Sequence, residues 1–115
     1  MNELLGLARF KFHEGKADEF KRLSEQCMEI VRTCDNGTLQ YDIYFNADES
    51  EAIVIERYAN AEALAEHMMH IGDDLLAEIL TTAIVEGEML GDPSPELEAQ
   101  LAAMRVRLFT PFLSL

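Results

Sequence analysis

Thr38-Leu39-Gln40-Tyr41-Asp42-Ile43-Tyr44-Phe45, the loop Asn46-Ala47-Asp48-Glu49-Ser50, and Glu51-Ala52-Ile53-Val54-Ile55-Glu56-Arg57-Tyr58 decide how this sequence folds. The two flanking segments are rich in β-branched and aromatic residues, which suit a pleated, half-buried surface. Leu39, Tyr41, Ile43 and Phe45 alternate on one side of the first segment, and Ala52, Val54, Glu56 and Tyr58 share one side of the second. The loop between them is polar and of hairpin length, so the pair reads as two antiparallel strands.

Working backward, Ala17 to Cys34 is the clearest helix, with Phe20, Leu23, Cys27, Ile30, Val31 and Cys34 at helical spacing. Asp18 and Glu19 fall in its first turn, where the helix dipole favours negative charge. Asp35-Asn36-Gly37 supplies the stop. Before it, Leu4 to His13 alternates as a strand, with Ala8, Phe10 and Phe12 opposite Leu5 and Leu7. Working forward, Asn60 is an N-cap for a helix whose stripe is Leu64, Ala65, Met68 and Ile71. Gly72 punctuates it, and a short helix from Asp73 to about Leu80 follows. Thr81 to Leu90 favours a strand. Ser94-Pro95 opens a further short helix through Leu97 and Leu101, and Val106 to Phe109 reads as a last short strand that Pro111 keeps from pairing centrally.

The order β-α-β-β-α-β predicts an α+β fold of the ferredoxin-like split β-α-β type with an antiparallel sheet. Residues 1–115 make one domain, with 92–115 as a C-terminal helix-and-strand extension. Both sides of the first and third strands carry apolar residues, whereas helices cover one face of such a sheet. The uncovered face predicts a two-fold homodimer.

Composition narrows the functional classes. Nine basic residues against 22 acidic ones leave a formal charge of −13, a surface that repels nucleic-acid phosphates and anionic lipid. The longest apolar runs, such as Ala52 to Ile55, fall far short of the roughly 20 residues a membrane helix needs. Met1-Asn2-Glu3-Leu4-Leu5 has no basic leader, so a cytoplasmic location is expected. Cys27 and Cys34, seven residues apart in one helix, would be about 10 Å apart, too far for a disulfide, and both read as buried small hydrophobes.

Three motifs, in this order and spacing, resemble the antibiotic biosynthesis monooxygenase (ABM) family. Glu14-Gly15-Lys16-Ala17-Asp18-Glu19-Phe20 is similar to its entry to the first helix, and Gly37-Thr38-Leu39-Gln40-Tyr41 to its second strand. Glu56-Arg57-Tyr58, Ala61-Glu62-Ala63-Leu64 and His67 resemble its third strand and second helix. The resemblance covers about residues 5 to 90. It implies protomers that pair sheet to sheet in a dimeric α+β barrel, with a pocket between sheet and helices. It also implies quinol-monooxygenase-like chemistry: oxidation of a small aromatic or quinol-type substrate by molecular oxygen without flavin or metal, the deprotonated substrate being the reductant. The chain has no tryptophan, which argues against the haem degradation of other relatives of this fold.

His67 matches the histidine of the family's second helix and is the expected catalytic base, since imidazole titrates near neutrality. Substrate-pocket candidates are Tyr41, Glu56, Tyr58, Met68 and His70. Glu56, a carboxylate among apolar neighbours, needs a partner, for which Arg9 and Arg57 are candidates. His67 and His70 are three apart with no matched ligand spacing, so no metal or other cofactor is expected. Two other readings stay open: a non-catalytic barrel of the same fold binding a small hydrophobic ligand, and an acidic domain with a basic protein partner.

Overall fold

A computed structural model describes residues 3–115; Met1 and Asn2, part of the stretch read above for a leader, lie outside it. The elements run β1 Leu4–Phe12, α1 Ala17–Cys34, β2 Thr38–Phe45, β3 Glu51–Tyr58, α2 Ala61–Ile71, α3 Asp73–Leu80, β4 Ala83–Leu90, α4 Pro95–Ala103 and β5 Arg107–Phe109. The sheet order is β2-β3-β1-β4-β5. The first four strands in that order pair antiparallel, the ferredoxin-like arrangement. β5 joins the open edge of β4 in parallel, which makes the sheet mixed rather than purely antiparallel. At that edge the residues beyond Phe109, Pro111 included, need no ladder partner. No described helix is long and apolar enough to cross a membrane.

Local chemistry sets the element boundaries. The Asn60 side chain accepts from the Ala63 amide and starts α2, and the Ser94 hydroxyl does the same for Leu97 ahead of Pro95 in α4. Gly72, at φ 80°, makes the corner between α2 and α3. Arg105, at φ 60°, occupies the left-handed position that ends α4, with its amide bonded to Ala102 O and the next amide, of Val106, to Leu101 O. Glycine is the usual occupant of that position, and another L-residue there costs roughly 1 kcal/mol.

The inner face of the sheet packs against the helices in ladder rows. Phe45, Ala52, Phe10 and Val85 form one row, and Ile43, Val54, Ala8 and Gly87 the next. Tyr41, Glu56, Gly6, Met89 and Leu108 form the third. Phe10, Phe20, Leu23 and Cys27 anchor one buried cluster, in which the Phe10 and Phe20 rings lie 4.8 Å apart. Leu4, Tyr58, Leu64, Met89, Leu97 and Leu101 form a second, so α4 is part of the core.

Several expectations shift. A register irregularity between Thr38 and Gln40 turns Leu39 out to solvent and brings Thr38 opposite Tyr58 on the inner face. Strict alternation from Leu39 to Phe45 therefore fails at its first residue. Cys34 is exposed, because burial fades along α1 after Cys27 and Cys34 closes its last turn. In α2 the buried residues are Ala63, Leu64 and His67, while Ala65 faces out.

Candidate active site

A cavity of about 580 Å³ lies between the inner sheet face and the helices. It exists because three adjacent floor positions are small: Ala8 sits opposite Gly87, and Gly6 is two residues before Ala8. Larger side chains there would fill the space that Phe10 and Val85 fill one row away. The volume lies in the range of small-molecule sites. Apolar side chains make most of its wall. Tyr41, Glu56, Tyr58 and His67 gather at one end, beneath α2, while Ser24, Glu88 and Arg105 are polar groups elsewhere in the lining.

The turn after α1 and the start of α2 are held together at van der Waals limits. Ala59 N–H donates to Gly37 O at 2.9 Å, and a Cβ built on Gly37 would stand 2.4 Å from Ala63 Cβ. Only glycine lets the two segments approach so closely. The contact carries Asp35 under α2, where its side chain is 2% exposed.

Asp35 organises the polar network. Its Oδ2 accepts from Thr38 Oγ1 at 2.8 Å and from His67 Nδ1 at 2.7 Å, and its Oδ1 accepts from His70 Nδ1 at 2.7 Å. An ionised carboxylate only accepts, so both histidines carry a proton on Nδ1. Burial alone would raise the Asp35 carboxyl, but the bonds from His70, His67 and Thr38 outweigh it and hold Asp35 below its ordinary 3.8.

With Nδ1 fixed, His67 directs Nε2 to the other side, where Glu56 Oε1 lies at 3.5 Å. Tyr58 OH donates a hydrogen bond to the same oxygen. The rings of Tyr41 and Tyr58 flank the imidazole at 5.7 and 5.3 Å. Burial, reinforced by the Glu56 charge, pushes both phenols well above their ordinary value, so both stay neutral donors. Burial likewise pushes the Cys27 thiol, beside Tyr41, up to about 11.

This arrangement is suited to proton transfer. A neutral imidazole whose Nδ1–H is held by a carboxylate presents a lone pair on Nε2. A proton taken up on Nε2 would sit on the Glu56 side of the ring, opposite the Asp35 carboxylate.

Of the sequence candidates, Tyr41, Glu56, Tyr58, His67 and Met68 line the cavity. His70 does not; it faces the far oxygen of Asp35. Tyr44 points from the opposite face of β2 and is exposed. The partner of Glu56 is Tyr58 with His67, not an arginine: Arg57 lies 3.7 Å from Glu3, and Arg9 is on the outer face. In the sequence, Asp35 reads only as part of a helix stop. Its position before Gly37 carries no sign that its carboxylate meets two histidines 32 and 35 residues away. Donor atoms of Asp35, Glu66 and His70 lie within 4.8 Å of one another, the one such group among the described residues that offers a cation three ligands. Asp35 and His70 satisfy each other, and Glu66 Oε1 accepts from both Asn36 nitrogens at 3.1 Å. Hydrogen bonding alone accounts for the cluster.

The sequence matches the profile of the antibiotic biosynthesis monooxygenase family over residues 5–70, more than half of the chain, and the protein belongs to that family. Its fold is similar to that of MupZ from Pseudomonas fluorescens, with 22% identity, a TM-score of 0.83, and coverage of 100% of this chain and 94% of that one. It is also similar to Rv0793 from Mycobacterium tuberculosis, at 23% identity and TM-score 0.66, over 81% and 97% of the two chains. A third similar structure is SnoaB, a cofactor-independent oxygenase from Streptomyces nogalater, at 13% identity and TM-score 0.64, over 77% and 91%. No curated protein matches the sequence significantly.

Proposed function

We propose that this protein is a cofactor-independent, monooxygenase-like enzyme that oxidises a small aromatic, quinol-type substrate with molecular oxygen. The observation that carries the reading is the orientation of His67. Asp35 holds its Nδ1 at 2.7 Å, which aims Nε2 at the polar end of an otherwise apolar cavity. A phenolic hydroxyl entering there meets a base, and the apolar wall suits the ring. The resulting anion is electron-rich enough to reduce oxygen. One oxygen atom stays in the product and the other leaves as water, the substrate supplying the electrons. Tyr41, a neutral phenol at that end, can donate to a substrate oxygen, whereas the Tyr58 hydroxyl is engaged by Glu56 Oε1.

A homodimer through the outer sheet face belongs to the same reading. Leu5, Leu7, Ile53 and Ile55 lie on the face the helices leave open, and Tyr44 and Ile84 there are 57% and 62% exposed. Light scattering at micromolar concentration tests this, and a clean monomer would overturn it.

The catalytic reading is tested by oxygen uptake with dihydroxynaphthalenes and hydroquinones, with chelator present and against a protein-free blank. Saturable uptake that His67→Ala abolishes is the expected result. A second reading, a barrel that binds such a molecule without turning it over, is favoured by Glu56 Oε1 lying 3.5 Å from Nε2, where it competes for the base. Saturable binding with uptake no faster than the blank across the panel would select it.

A further inference from the structure

The cavity wall opposite the β2–β3 side is built by the C-terminal extension. Leu101, Met104, Arg105 and Val106 line it, all beyond the residues that match the family profile. Val106 sits over the floor glycine: a Cβ on Gly87 would be 3.5 Å from Val106 Cγ2. Among these residues Arg105 stands out. Among the described residues it is the only lysine or arginine lining the cavity, and it makes no ion pair. Arg107, two residues on, has its guanidinium on Glu88. Arg105 also occupies a left-handed backbone position, φ 60°, for which glycine is the unstrained residue. A strained, unpaired cation at the solvent-facing rim of an apolar cavity needs a reason. The rest of the chain carries a strong negative charge, which would repel an anionic ligand unless a local cation offset it.

We propose that Arg105 recognises an anionic group on the ligand, and that the natural ligand is a small aromatic molecule bearing a carboxylate remote from its phenolic hydroxyl. The guanidinium fork matches a carboxylate in two parallel hydrogen bonds. The hydroxyl then lies at the His67 end and the carboxylate at the rim. This rests on the aromatic-ligand reading of the cavity and adds the class of substituent that orients the ligand.

The test is binding rather than turnover, by anaerobic titration calorimetry with 6-hydroxy-2-naphthoate and its uncharged counterpart 2-naphthol. The wild-type protein binds the carboxylate compound about tenfold or more tightly than 2-naphthol. Arg105→Gln erases that preference, lowering affinity for 6-hydroxy-2-naphthoate far more than for 2-naphthol, and Arg105→Lys restores part of it. Arg105→Gly relieves the backbone strain, so it raises the melting temperature while losing the preference, which a merely structural arginine would not do. Equal binding of both compounds by the wild type, or a preference that survives Arg105→Gln, overturns the proposal alone. Failure of both compounds to bind overturns the aromatic-ligand reading and this proposal with it.

Discussion

Asp35 and His67 are 32 residues apart in the chain and 2.7 Å apart in the fold, joined by a hydrogen bond from Nδ1 to a carboxylate that is almost wholly buried. The bond fixes which nitrogen of His67 faces the cavity. Asp35→Asn keeps the shape but removes the carboxylate charge that holds the proton on Nδ1. The expected outcome is a fall in oxygen uptake of about a hundredfold or more, the scale of a general-base contribution. His70→Gln, which leaves the Asp35–His67 bond in place, is expected to cost far less. Equal losses in the two variants would show that Asp35 serves the fold rather than the base.

The same carboxylate predicts how stability depends on pH. Its folded value lies below the unfolded 3.8, so it binds protons less readily when folded. Its contribution is complete above about 3.8 and is lost as pH falls through the lower folded value. Asp48, held low by Ser50, shifts in the same direction, so the wild-type curve alone does not isolate Asp35. The difference between wild type and Asp35→Asn does. Urea midpoints taken from about pH 6 down to about pH 3 should converge for the two proteins at the acid end. Parallel curves would refute the assignment.

Gly37 predicts a geometric failure rather than an electrostatic one. With 2.4 Å between a new Cβ and Ala63 Cβ, Gly37→Ala forces the turn away from α2. Overpacking of this kind typically costs about 1–3 kcal/mol, and here the displaced turn carries Asp35 away from His67 of α2. Oxygen uptake should fall along with the melting temperature. Ala63→Gly in the same chain removes the atom that clashes, and should recover part of both, less the cost of about 1 kcal/mol for glycine in a helix. If the double variant is as damaged as the sum of the singles, the contact is not the cause.

The readable parts of the site were those written in a repeating pattern. Glu56 and Tyr58 fall on the buried face of β3 because a strand alternates, and His67 falls beside Leu64 and Met68 because a helix repeats every 3.6 residues. Leu39 breaks its pattern because the extra residue of a bulge leaves no compositional mark. Asp35 was legible only as punctuation, since the partners that give it a role come from α2 and a bulged strand. The partners of Glu56 are hidden in the sequence for a similar reason: a buried acid beside two nearby arginines suggests a salt bridge, yet the ladder puts Arg57 on the opposite face of β3. Arg105 had no pattern at all. Its place in the cavity wall depends on how the extension folds back over Gly87.

The two cysteines give a readout of the cavity that does not depend on turnover. Cys34 is exposed at the end of α1, whereas Cys27 is buried and lines the cavity beside Tyr41. With its thiol pushed up to about 11, Cys27 is almost entirely protonated near neutrality, and the thiolate is the reactive form. A disulfide reagent at about pH 8 should therefore modify one thiol per chain quickly and the second slowly. Denaturant should bring both to the same fast rate. Cys34→Ser leaves only the slow phase, and an aromatic ligand in the cavity should slow it further by covering Sγ. If Cys27 reacts as fast as Cys34 in the native protein, the cavity is open to solvent along α1. The shielding that the proposed oxygen chemistry relies on would then be missing.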